Sequence, residues 1–262
     1  VCDRCGNERI SYNSCRNRHC PKCGALAKER WLLAREQELL PVLNHLVLTN
    51  ARVMYQMLFR SVAETLLTLA KDPKHLGAHI SVIAVLHTWG QNLMDHPHVH
   101  CIVPGGGLSA NGTRWIASRT HFFLPVKVLS RLFRGKMLDQ LKRAYKANRL
   151  KLIGESKELN RPEIFRTLLD KLYKKEWVVY AKEPFGGPRQ VLAYLGRYTH
   201  RVAISNNRLV SISDGKVTFR WRDYRDASAE KLMTLDAGEF IRRFLLHVLP
   251  QGLCKIRYYG IM

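Results

Sequence analysis

The sequence predicts an α+β protein: an antiparallel sheet flanked by helices, preceded by a small zinc-binding module. Three observations carry this. Strand-like and helix-like segments are mixed without the regular βαβ alternation that a parallel sheet requires. Asn111-Gly112 and Asp214-Gly215 are hairpin signals, which join antiparallel neighbours. Five of the seven cysteines fall within the first 23 residues, a segment too short to bury a core of its own.

The elements follow in order. Residues 25–40, ALAKERWLLAREQELL, combine helical periodicity with good helix formers, and Pro41 ends or redirects that helix. Residues 44–49, NHLVLT, are apolar and predict a buried strand. Residues 51–72 carry Tyr55, Leu58, Phe59, Ala63, Leu66 and Leu67 on a rough helical stripe. Residues 78–89 predict a central strand and 98–103 a second, broken by Pro104 and the glycines at 105–107. A basic helix is expected over 126–151, another over 162–174, and a strand over 177–182. Gly186-Gly187-Pro188 opens a further helix, with Pro188 suited to its first turn. Residues 202–213 and 216–224 read as a hairpin, and 236–248 as a last amphipathic helix closed by Pro250. The organisation expected is a zinc-binding module with its connecting helix over 1–40 and a catalytic domain over 41–262.

Charge restricts the partner. The 262 residues hold 43 Lys and Arg against 21 acids, a formal charge of +22. Such an excess implies a polyanion, nucleic acid before anionic membrane. No apolar run approaches the ~20 residues that span a bilayer, and no signal-peptide pattern opens the chain. A cytoplasmic, nucleoid-associated location is therefore expected. Hydrophobic residues make up 46%, enough for a core, which argues against wholesale disorder. The basic helix holds nine Lys or Arg against Asp139 alone. Arg131, Arg134, Lys142 and Arg143 on it are candidate phosphate contacts.

In a basic chain without a secretory pattern, clustered cysteines read as metal ligands rather than disulfides. Cys2-x-x-Cys5 and Cys20-x-x-Cys23 form paired knuckles that can place four thiolates tetrahedrally around a structural zinc. Closing that site supplies the folding energy the segment lacks. Cys15 and His19 are alternative ligands. Because the chain opens at Val1 inside the cysteine motif, residues upstream are expected to be missing, and ligands from them would allow a second metal.

His98-Val99-His100 puts two imidazoles two residues apart on a predicted strand, so both share one face while Val99 enters the opposite layer. An isolated pair of this kind is more often two partly exposed histidines. Here His87 lies on the preceding strand, and the turn between brings it alongside. Three neutral imidazoles leave positions open for substrate oxygens, which suits a catalytic divalent ion such as Mg²⁺ or Mn²⁺. Gln91 is an alternative third ligand. His96 is expected to turn away, and Asp95 to accept a hydrogen bond from a ligating histidine. The glycines at 105–107 read either as a plain turn or as a place where a DNA backbone approaches closely.

Tyr194 and Tyr198 lie one helical turn apart in Ala-Tyr-Leu-Gly-Arg-Tyr-Thr-His. Two core aromatics would give the same spacing. Gly196, Arg197, Thr199, His200 and Arg201 make the neighbourhood cationic instead. A phenol with a pKa near ~10 needs such surroundings to act as a nucleophile. Arg197 and Arg201 can stabilise both phenolate and phosphate oxygens.

These stretches together resemble the HUH endonuclease superfamily, and more closely the rolling-circle insertion-sequence transposases of the IS-ninety-one-like type. The residues that carry the resemblance are Cys15-Arg-Asn-Arg-His-Cys-Pro-Lys-Cys23, His87-Thr-Trp-Gly-Gln-Asn, the run from His96 to Gly107, and Tyr194-Leu-Gly-Arg-Tyr-Thr-His-Arg201. The resemblance covers nearly the whole chain in the order finger, metal motif, tyrosines. It implies a Rep-like antiparallel sheet, with residues 44–50 matching its first strand motif. It implies that His98 and His100 bind the metal and that Tyr194 and Tyr198 attack single-stranded element-end DNA, leaving a 5′-phosphotyrosine and a free 3′-hydroxyl. A plasmid relaxase or replication initiator shares this chemistry. A non-catalytic zinc-containing DNA-binding protein would explain the charge and the finger but not the histidines and tyrosines.

Overall fold

The computed structural model describes residues 41–119, 123–182, 203–223 and 229–261, with a few positions between. Helix α1 (Pro41–Thr49) leads through Asn50 into α2 (Ala51–Lys71). Strands β1 (Ser81–Trp89) and β2 (Asp95–Ile102) follow, then the short β3 (Gly106–Leu108) and β4 (Trp115–Ala117). Helix α3 (Val126–Lys146), a 3-10 turn at Gly154–Asn160 and α4 (Pro162–Lys174) form the helical middle. The remainder is β5 (Leu209–Ser213), β6 (Lys216–Asp223), β7 (Ala229–Asp236), α5 (Ala237–Leu245) and β8 (Ile256–Gly260). The sheets run β2-β1-β8, β3-β4 and β5-β6-β7, and every pairing is antiparallel. The α+β expectation holds.

Helix α2 joins two cores. Met54 and Met57 face α3 and α4, where Leu138, Leu141, Phe165, Leu168 and Leu172 are buried. Tyr55 and Phe59 face the sheet, meeting Val82, Ala84 and Leu86 of β1 and Leu129 of α3. Alternate residues of β1 thus point into the helical layer, and its other residues point away from it. A third cluster joins Leu93, Ala203, Ile204 and Phe219 to Trp89, Phe240 and Phe244, tying the β5-β6-β7 sheet and α5 to the end of β1.

Two strand expectations fail. Residues 44–49 are helical within α1: Leu46 is fully buried against the helical core, and the Thr49 hydroxyl donates to the His45 carbonyl one turn back at 2.8 Å. A short apolar run does not distinguish a buried helix from a strand. Residues 177–182 form no regular element. Trp177 instead stacks edge-on against Phe133 at 5.4 Å and donates its indole N–H to the Leu172 carbonyl, so the segment crosses helices rather than joining a sheet edge. The basic helix ends at Lys146, short of 151, while α4 matches its expected range.

The turn at Asp214-Gly215 has φ of 51° and 70°, the doubly positive pair of a two-residue hairpin turn. Asn111-Gly112 lies in a longer loop between β3 and β4. A Cβ on Gly107 would sit 2.3 Å from the His79 carbonyl oxygen, and one on Gly106, at φ +155°, 2.4 Å from that of Ile116. These two glycines let β3 lie against β4 and the chain before β1, which accounts for Gly106 and Gly107 as structural.

Asn50 holds the α1–α2 corner to the chain after α3. Its amide donates to the carbonyls of Leu46 and Lys151 at 3.0 Å each, and its carbonyl accepts from the Lys151 N–H at 2.7 Å. Replacing Asn50 with Ala strips both partners from Lys151, and urea titration should show a loss of about 1–3 kcal/mol. Asp95 presents a separate case. Its Oδ1 is buried without a hydrogen-bond partner, and burial pushes its pKa up to about 7. The folded state therefore disfavours the carboxylate: a stability cost is absent below the unfolded pKa near ~4, grows as pH rises, and is complete above about 7. Asp95→Asn should raise the melting temperature at pH 8 and have little effect near pH 4, as read by differential scanning calorimetry.

Candidate metal centre

The site is built by the pairing of β1 with β2. His87 stands directly opposite His98, and Val85 opposite His100. Residues opposite one another share a face, so all three imidazoles project from the side of the sheet away from α2. Val99 and Cys101, between them in sequence, point into the helical core as the alternation requires. Cys101 is inert there, its thiol pushed up to about 12 by burial.

Three ring nitrogens converge. His87 Nδ1 lies 3.2 Å from His98 Nε2, which lies 3.0 Å from His100 Nε2. His87, His98 and His100 each offer a ligand atom, all within 4.8 Å of one another. The His98 tautomer is set by the chain: Nδ1 is 2.7 Å from the His96 carbonyl oxygen and must donate to it, so Nε2 carries a lone pair aimed at its neighbours. Burial holds the His98 pKa well below its usual value, and burial with the neighbouring histidines lowers that of His87 to about 3. Both imidazoles are neutral at physiological pH, the state a metal ligand needs. Nitrogens bound to one ion at ~2.1 Å lie ~3 Å apart when adjacent, and both pairs that involve His98 have this spacing, at 3.2 and 3.0 Å. The donor set therefore fits a divalent cation.

Some expectations change. Asp95 does not orient a histidine; that role falls to the His96 carbonyl. His96 does not turn away, since its ring lies 4.8 Å from that of His98. Between the two alternatives for a third partner, His87 is the residue brought against His98. The basic helix α3 lies on the helical side of the sheet, with Leu129 in that core, so its cations do not converge with the histidines. Arg131 and Lys142 are exposed. Arg143 is exposed too, paired with Asp139 at 2.7 Å. Arg134 turns inward and donates to the Lys175 carbonyl at 2.9 Å. Cys2, Cys5, Cys20 and Cys23, and Tyr194, Tyr198, Arg197 and Arg201, lie outside the described residues.

The structure adds neighbours that no local pattern announced. Trp89 lies 4.1 Å from His87, ring to ring. Lys255 Nζ stands over the Trp89 ring at 5.0 Å. His247, buried, places Nε2 3.0 Å from the Leu93 carbonyl, with its ring 5.9 Å from Trp89. Only the β1–β8 pairing and the packing of α5 reveal these approaches. Among the described residues, no helix is long and apolar enough to cross a membrane.

Comparison with known proteins gives the family. Residues 81–262 match the family described as "Putative transposase", and residues 1–50 match the family described as "Transposase zinc-binding domain". A protein of Sinorhizobium fredii (strain NBRC 101917 / NGR234) named "Putative transposase y4qJ" is 56% identical over 274 residues, covering 100% of this chain and 69% of that protein. The "Transposase for insertion sequence element IS801" of Pseudomonas savastanoi pv. phaseolicola is 27% identical over 272 residues, covering 98% of this chain and 65% of that protein. No solved structure matches the chain. A transposase domain that contains the three histidines, preceded by a zinc-binding transposase domain, places this chain in the family of insertion-sequence transposases of the IS-ninety-one-like type.

Proposed function

We propose that this chain nicks and rejoins single-stranded DNA through a 5′-phosphotyrosine intermediate, the chemistry of rolling-circle transposition. The observation that carries the reading is the convergence of His87, His98 and His100 in a member of a transposase family. These residues would hold a divalent ion, which polarises the scissile phosphate when bound. An all-imidazole set favours Mn²⁺ over Mg²⁺, whose preference for oxygen ligands is stronger. Cys2, Cys5, Cys20 and Cys23 would hold a structural zinc within a module over residues 1–40, apart from a catalytic domain over 41–262.

The sequence supplies the nucleophiles. Tyr194 and Tyr198, one helical turn apart, are the attacking phenols. The phenol oxygen of one forms a bond to phosphorus as the bond from phosphorus to the 3′ oxygen breaks. The 3′ oxygen leaves as a hydroxyl, and the proton lost by the phenol balances it. The 5′ end stays on tyrosine with its phosphodiester energy conserved, so no nucleotide cofactor is required. A 3′-hydroxyl, or the second tyrosine, can then attack in turn. Arg197 and Arg201 offset phosphate charge beside the tyrosines, and Arg131, Lys142 and Arg143 contact the strand beyond the centre. A single strand is preferred because no complementary strand then blocks the scissile phosphate. The work belongs in the cytoplasm, at the nucleoid.

Four measurements check this reading. His98→Ala should reduce cleavage of an element-end single strand by about 100-fold or more while the strand still binds. Mn²⁺ should restore chelator-treated wild-type protein better than Mg²⁺ at equal concentration. Tyr194→Phe or Tyr198→Phe alone can still nick, but the double variant should form no covalent adduct. Mass spectrometry of the trapped peptide should place the DNA on Tyr194 or Tyr198; an adduct on another residue contradicts the assignment.

A further inference from the structure

Lys255 is a cation next to a cluster suited to another cation. It immediately precedes β8, and its carbonyl accepts the Leu86 N–H at 2.9 Å, so its backbone is fixed to the strand that carries His87. One indole ring touches both lysine and cluster: Trp89 is 4.1 Å from the His87 ring and 5.0 Å from Lys255 Nζ. The lysine is half-buried, and among the described residues no carboxylate pairs with it. Asp95, the acid placed opposite Trp89 in the β1–β2 register, leaves its own Oδ1 without a partner rather than reaching Lys255.

A partly desolvated ammonium without a counter-ion is unfavourable, more so beside histidines arranged to receive positive charge. The aromatic face offsets only part of that cost. An anion lying across both groups would offset the rest. A phosphodiester is such an anion: the compact ammonium serves as a point charge for one of its oxygens. The exposed arginines of α3 cannot serve here, because they lie on the helical side of the sheet.

We propose that Lys255 is a positioning residue that seats the phosphate backbone of a single DNA strand against the His87–His98–His100 cluster, with Trp89 in contact with both. This rests on the strand-transfer reading above and assigns the residue that places the strand within it.

The test measures binding to element-end single strands in which the scissile linkage, or either neighbour, is an uncharged methylphosphonate. Chelator is present, so neither a divalent ion nor cleavage contributes. Wild-type protein should lose about tenfold in affinity at one of the three linkages. Lys255→Gln should bind the ordinary strand about tenfold more weakly and be indifferent to that methylphosphonate, while Lys255→Arg keeps most of the discrimination. Lys255→Met retains the aliphatic contact with Trp89 and should behave as Lys255→Gln, which separates loss of charge from loss of packing; near-ultraviolet circular dichroism confirms the folded state. Discrimination that persists in both Lys255→Gln and Lys255→Met overturns the proposal. So does a wild-type protein that binds all the linkages equally. Cleavage by wild-type protein with Mn²⁺ is read separately: if it persists while discrimination is absent, only the role of Lys255 falls, and if it is absent, the strand-transfer reading falls as well.

Discussion

The antiparallel register of β1 against β2 is the constraint on which the site depends. It sets His87 opposite His98 and, one pair along the same face, Val85 opposite His100. A slip of one residue would send the β1 or β2 histidines to the helical side, because strand side chains alternate. The hydrophobic core resists that slip. Val82, Ala84 and Leu86 are essentially inaccessible to solvent in the helical layer, and exchanging them with Ile83, Val85 and His87 would bury an imidazole among Tyr55, Phe59 and Leu129. The same burial that stabilises the sheet therefore fixes the geometry of the histidines.

Burial also sets their charge. A chain with a formal charge of +22 attracts polyanions, but His87 and His98 are neutral because they are withdrawn from water. The backbone carbonyl of His96 fixes the His98 tautomer, so the lone pair of Nε2 points inward without help from a carboxylate. Positive charge stands beside the cluster at Lys255, over the Trp89 ring, and on α3 behind the sheet. A general attraction for polyanions and a local fit for a cation are thus separate features, carried on different sides of the sheet.

The histidine pair was legible in the sequence because its spacing matches the strand period, and His87 because an antiparallel neighbour at that separation had to lie alongside. The hairpin at Asp214-Gly215 was legible because that turn demands positive φ at both positions. Residues 44–49 misled because apolar composition carries no period over so short a run; the decisive contacts, Leu46 in the helical core and Asn50 on Lys151, come from far along the chain. Strand β8 gave little signal, since Tyr258 is exposed while Tyr259 is packed inward, and its place at the edge of β1 is a tertiary fact. Lys255 was invisible for the same reason. His96 and Asp95 were misjudged because side-chain direction at the start of β2 follows a bulge between His87 and Trp89, which no residue type announces.

Electron spin-echo spectroscopy of the protein loaded with one equivalent of Mn²⁺ tests the central claim most directly. The convergence of His87, His98 and His100 predicts nitrogen couplings from three imidazoles, reduced to two by His87→Gln, with water or phosphate oxygen completing the shell. A bound ion showing only oxygen couplings, or a spectrum unchanged by His98→Ala, would contradict it.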